Sequence, residues 1–196
     1  RALSSNQPVR KAKQLRKLAT LLTAVTFVFL VSACAPSSPT GEETSTGSDT
    51  LSYMTRATGE ALPATDGYPT VTLDDAGAPS ITPLTSAAPK EFGVATLIKG
   101  AGSVVGATDI VTVQYAGYLW DGTPFDSSWS RGEPAQFSLE QVVPGFTKAI
   151  AGQTIGSQVI AVLPPEDGYG ASGAGSIPPN ATLIFVVDIL AAEPAQ

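Results

Sequence analysis

The chain has 196 residues, eleven of them basic and seventeen acidic, for a formal net charge of −6. It has no histidine and a single cysteine. That removes Ser-His-Asp and Cys-His machinery, histidine-bearing metal sites, thiolate zinc cages and any disulfide within the chain, leaving shape, desolvation and hydrogen bonding to carry any activity.

The charge is unevenly placed. Residues 1–33 hold six of the eleven basic residues and no acid, whereas residues 34–196 hold five basic residues against all seventeen acids. An acidic body argues against nucleic acid as a partner, because phosphate binding needs clustered Lys and Arg. In the first segment Arg10, Lys11, Lys13, Arg16 and Lys17 crowd together ahead of a 14-residue apolar run, Leu18 to Val31. A basic start, a short apolar centre and small residues at the end form the pattern of an export signal. The run is short of the roughly 20 residues that a spanning helix needs. "VSAC" (Val31 to Cys34) resembles the lipobox of bacterial lipoproteins. That resemblance implies cleavage before Cys34, lipid on its sulfur, and an extracytoplasmic protein anchored to the cell membrane. A plain cleaved signal and an uncleaved anchor are the alternatives.

Residues 34–50 continue with "APSSPTGEETSTGSDT", which lacks any large apolar residue and reads as a disordered tether. Residues 51–90 are a proline-rich extension, broken at Pro63, Pro69, Pro79, Pro83 and Pro89. "PTVTL" (Pro69 to Leu73) suits a short edge strand. The sequence leaves open whether this extension packs on the domain C-terminal to it.

Residues 91–193 form the main domain, and its signals are mostly β. "GVATLI" (Gly93 to Ile98) predicts a strand. "DIVTVQYAGYL" (Asp109 to Leu119) alternates with period two and is rich in β-branched and aromatic residues. "QFSL" (Gln136 to Leu139), "SQVIAVL" (Ser157 to Leu163) and "ATLIFVVDIL" (Ala181 to Leu190) are further strands. Between them "PGFTKAIAGQ" (Pro144 to Gln153) places Phe146 and Ile150 four apart, on one helical face. About five strands and one short helix predict an α+β domain, an antiparallel sheet curled over that helix.

Other residue patterns carry less. Asp121 and Asp126 lack the regular spacing of a calcium loop. Glu166 and Asp167 are adjacent acids that suit a solvated loop better than a glycosidase pair. "GAGSVVG" and "GYGASGAG" lack the lysine of a phosphate loop.

Four motifs in order, "YAGYLWDGTPFDSS", "VVPGF", "GYGASG" and "IPPNATLIFVVDIL", resemble the FKBP-type peptidyl-prolyl cis-trans isomerases over roughly Glu91 to Glu193. The resemblance implies an FKBP-like fold whose apolar pocket accepts a proline side chain. It needs no cofactor, metal or covalent intermediate. It implies Tyr115, Phe125, Asp126, Phe146, Tyr169 and Phe185 as the catalytic pocket, with Phe146 as its floor, Tyr169 over the entrance and Phe185 as the back wall. Arg131, Val142, Val143 and Ile177 are implied in substrate binding, the Val143 N–H facing a substrate carbonyl and Ile177 capping one side. A carboxylate beside an apolar site needs partners, so Asp126 is expected to accept from Tyr115 and to pair with Arg131. The implied partners are proline-containing exported or unfolded polypeptides, met by a monomer. A noncatalytic binding or chaperone module on the same fold is the alternative. Phe146 stands where the family usually has tryptophan, Ala135 where it usually has an aromatic, and Ala174 where it often has histidine. A shallower or more open pocket is expected.

Overall fold

Strand β5 (Ile110–Leu119) organises the molecule. Its alternation sends Val111, Val113 and Tyr115 to one side and Ala116 and Tyr118 to the other, and each set belongs to a different core. The structure, a computed structural model, describes residues 54–195. The export signal, the tether and Cys34 lie outside the described residues.

Along its whole length β5 pairs with β9 (Leu183–Glu193), and on its other edge with β6 (Pro124–Ser127) and β7 (Ala135–Ser138). Beyond β9 lie β8 (Gln158–Leu163), β4 (Gly93–Lys99) and the two-residue β1 (Glu60–Ala61). Every neighbouring pair is antiparallel. Helix α2 (Pro144–Ile150) lies in the inner concavity and buries Phe146, Ala149 and Ile150, the i, i+3 and i+4 positions of one face. Pro144 opens it, where a missing N–H costs nothing. The five strands and the helix expected from sequence are present. The additions are β1, β3 (Pro79–Thr82), β6, the single turn α1 (Ser128–Arg131) and two 3-10 turns at Pro165–Asp167 and Gly170–Ser172, all too short to give a periodic signal.

The outer face of the sheet is covered. Residues 54–90 run across it, with β2 (Thr70–Leu73) and β3 (Pro79–Thr82) paired as a separate two-stranded sheet. Tyr68, Val71 and Ile81 from this segment pack on Tyr118, Ile160, Ile184 and Val186. Hydrogen bonds strap it down: Tyr118 Oη donates to the Pro79 carbonyl at 2.6 Å, and Trp120 Nε1 to the Ser86 carbonyl at 2.9 Å. Asp188 of β9 also faces outward, yet is only 2% exposed. It accepts from the Ala57 N–H and from Gln158 Nε2, each at 2.7 Å. The packing of the proline-rich extension, open in the sequence, is thus a second core on the sheet's far side.

Candidate active site

On the inner face, five elements and two flanking segments converge on one cavity of about 320 Å³. β5 contributes Tyr115, β6 Phe125 and Asp126, β7 Phe137 and β9 Phe185. The segment entering α2 contributes Gln141, Val142 and Val143, α2 itself Phe146, and the β8–β9 loop Tyr169. Phe146 is 4% exposed and meets its neighbours edge-on. Its ring centroid lies 5.3 Å from Phe185, 5.7 Å from Phe137 and 6.2 Å from Tyr115, with interplanar angles of 82°, 78° and 82°. Such geometry places positive ring edges against negative ring faces and adds to the area term. Phe125 and Phe185 meet at 5.6 Å and 87° above Gly117. A Cβ there would lie 2.6 Å from Phe125 Cζ and 3.1 Å from Phe185 Cε1, so only glycine lets the two rings close over the strand.

One carboxylate stands among these rings. The Tyr115 hydroxyl donates to Asp126 Oδ2. Arg131 Nη1 donates to Asp126 Oδ1 at 2.5 Å, and Arg131 Nη2 donates to the Tyr115 hydroxyl at 2.9 Å. The guanidinium carbon also lies 5.5 Å from the Tyr115 ring centroid. Arg131 acts from outside the cavity, at the end of α1. That turn is fixed by Ser128, fully buried, whose Oγ accepts from the Tyr115 N–H at 2.8 Å and donates to Gln114 Oε1. Partial burial pushes the Asp126 carboxyl up, but the hydrogen bonds from Tyr115 and Arg131 and the arginine charge outweigh it. The net effect is a carboxyl held below its ordinary value. The Tyr115 phenol is raised, first by burial and then by donating to a carboxylate. At neutral pH the triangle is therefore phenol, carboxylate and guanidinium.

Eight of the ten pocket and binding residues read from sequence line the cavity, and Arg131 reaches Asp126 and Tyr115 from outside it. Ile177 is not among the lining residues. At 8% exposure it belongs to the same inner core cluster as Tyr115, Phe146 and Phe185, held in a tight turn with Ala174 through reciprocal hydrogen bonds of 2.8 and 3.0 Å. Val143 caps α2 with its carbonyl, which accepts from the Phe146 N–H at 2.9 Å. Two lining residues are absent from the sequence reading, Phe137 and Gln141. Phe137 had a signal: β7 pairs Phe137 with Val111 and Ala135 with Val113, so both share the inner face of β5. The aromatic absent at Ala135 stands two residues later on the same face.

The family model described as FKBP-type peptidyl-prolyl cis-trans isomerase matches residues 102–190. FK506-binding protein 1 of Dictyostelium discoideum is 44% identical over 99 residues, which cover 92% of that protein. The chain belongs to the FKBP family. The FKBP-type peptidyl-prolyl cis-trans isomerase FkpA of Aeromonas hydrophila is 53% identical over 94 residues, 48% of this chain and 35% of that protein. The crystal structure of FkpA from Escherichia coli superimposes with a TM-score of 0.52 at 35% identity, covering 64% of this chain and 53% of that one. The chain spans about a third of the length of the FkpA relative from Aeromonas. The FKBP-like α+β fold expected from the four motifs is the fold found.

Proposed function

We propose that the FKBP domain catalyses cis-trans isomerisation of X-Pro bonds in exported or unfolded polypeptides. The observation that carries this reading is the cavity's chemistry. Its lining has one carboxylate, Asp126, and both of its oxygens already accept hydrogen bonds. The lining offers no serine, cysteine, lysine or histidine, and the reaction needs neither a nucleophile nor a general base. Rotation about a peptide bond meets a barrier of about 18–20 kcal/mol set by C–N double-bond character. The planar amide carries the larger charge separation, and water stabilises it. A proline ring laid against Phe146, between Tyr115 and Phe185, loses that water. The twisted amide, with less charge on its oxygen, loses less by desolvation and so is bound better than the planar one. In this reading the Val143 N–H donates to a neighbouring substrate carbonyl.

Uncatalysed isomerisation takes tens to hundreds of seconds, long enough to limit folding of an exported chain. The "VSAC" motif supports lipid attachment at Cys34 and an extracytoplasmic, membrane-anchored protein. A single acyl chain binds membranes only marginally, so more than one is expected on that cysteine. Mass spectrometry of the mature protein checks this, and an unmodified Cys34 removes it. For the reaction, exchange spectroscopy or a protease-coupled assay on a Pro-containing peptide should show catalysed interconversion. A folded protein that binds the peptide without accelerating exchange leaves the noncatalytic module instead.

A further inference from the structure

The loop between β8 and β9 carries Tyr169 to the cavity mouth, where it is 39% exposed. From Pro165 to Asn180 only two residues are buried, Asp167 and Ile177. Ile177 is an apolar peg in the core. Asp167, two residues from Tyr169, is a charged one: its side chain is 10% exposed, and Lys148 Nζ donates to its Oδ1 at 2.6 Å. Lys148 stands on α2 two residues from Phe146, with its ammonium 5.7 Å from the Phe92 ring centroid and its side chain 53% exposed. The same helix makes room for the loop at Gly145, where a Cβ would lie 2.9 Å from the Asp167 carbonyl oxygen and 2.3 Å from Leu163 Cγ. Neither Lys148 nor Asp167 lines the cavity. Together they tie the loop holding Tyr169 to the helix holding the cavity floor.

We propose that Lys148 and Asp167 are a positioning pair that sets peptide affinity by fixing Tyr169 relative to Phe146. Removing the lysine leaves a carboxylate nearly shut from water without its cation, a costly state. The carboxylate then turns out to solvent and takes the backbone next to Tyr169 with it. The pair touches no substrate, so its loss appears in affinity rather than in the chemical step.

The proposal rests on the peptide-binding role of the cavity, and its test is read by the Kd of a short uncharged X-Pro peptide, with kcat followed in parallel. In the full chain, Lys148→Met and Asp167→Asn should each weaken binding about fivefold with kcat within about twofold. Lys148→Arg should restore affinity to within about twofold, since the guanidinium can make the same contact. In a Tyr169→Ala background, Lys148→Met should change Kd no further, because the residue through which it acts is gone. Unchanged affinity in a folded Lys148→Met or Asp167→Asn protein overturns the proposal. So does a full, additive loss in the Tyr169→Ala background, which would mark a general structural role. If Lys148→Met fails to fold, Asp167→Asn, nearly isosteric, decides alone. A parent that binds the peptide without turnover removes the isomerase reading and leaves this test standing. A parent that binds no peptide overturns both.

Discussion

Asp126 and Asp188 lie on one sheet and behave in opposite ways. Asp126 sits at the inner-face cavity with its side chain 43% exposed, and Asp188 lies under the outer cover at 2%. Burial pushes both upward. At Asp126 the hydrogen bonds from Tyr115 and Arg131 and the adjacent guanidinium win, and the carboxyl is held low. At Asp188 desolvation wins over the Ala57 N–H, the Gln158 amide and the charge of Arg56, and the carboxyl is raised. Both acids accept from two or more donors, so the number of hydrogen bonds does not separate them. What separates them is a cation in direct contact and access to water. The first arrangement keeps a charge available beside a site, and the second uses a carboxylate as a structural acceptor.

Removing each acid breaks the comparison most directly. Asp188→Ala orphans a buried N–H and a buried amide, and should cost about 2–4 kcal/mol in urea unfolding, while peptide affinity of the folded protein stays within about twofold. Asp126→Ala should do the reverse. Its half-exposed ion pair contributes little to stability, within about 1 kcal/mol. The freed Tyr115 and Arg131 lose their orientation, and kcat/KM should fall about tenfold, the equivalent of one charge-assisted hydrogen bond. Equal losses of stability in the two variants would erase the distinction. A smaller effect tests the outer face alone: Tyr118→Phe deletes the bond to the Pro79 carbonyl and should cost about 1 kcal/mol without altering turnover.

Acid titration sharpens the same contrast with the smallest expected signal. Asp126, depressed on folding, stabilises the protein above the ordinary carboxylate value of about 3.9, and that contribution is lost as pH falls through its lowered value. Asp188, raised on folding, favours the native state below about 3.9. That advantage is lost as pH rises through its raised value. Unfolding free energies measured between about pH 2.5 and 7 should therefore show a shallower acid limb in Asp126→Asn, with the depressed Asp121 carboxyl still contributing. In Asp188→Asn the gradual decline above about pH 4 should be missing. A wild-type minus Asp188→Asn difference that does not vary with pH would show that Asp188 titrates alike in both states.

Much of the inner face is readable from sequence. Tyr115 stands in a long alternating strand, Phe146 on the apolar stripe of a helix, and the order of four motifs ties both to Phe125, Asp126, Tyr169 and Phe185. Phe137 escapes because "QFSL" is too short for its alternation to assign a face until β7 is registered against β5. The burial of Ile177 in the inner core is not readable either, because a two-proline loop does not reveal which of its residues turns inward. The outer core is the harder part. β9 runs "LIFVV" without alternation, the mark of a strand buried on both faces. Its cover comes from a segment so broken by proline that no periodicity announces it. The pairing of Lys148 with Asp167 has no local signal, since the partners are 19 positions apart and meet only through the loop's path.

The second core bears on where this protein can be cut. A version beginning at Glu91, the boundary that sequence suggests, would retain every residue of the cavity. It would also uncover Tyr118, Ile160, Ile184 and Val186 as one contiguous patch on the sheet, together with an Asp188 stripped of its Ala57 donor. A patch of that kind promotes self-association, so the shortened protein should be less soluble than the parent while keeping an intact cavity.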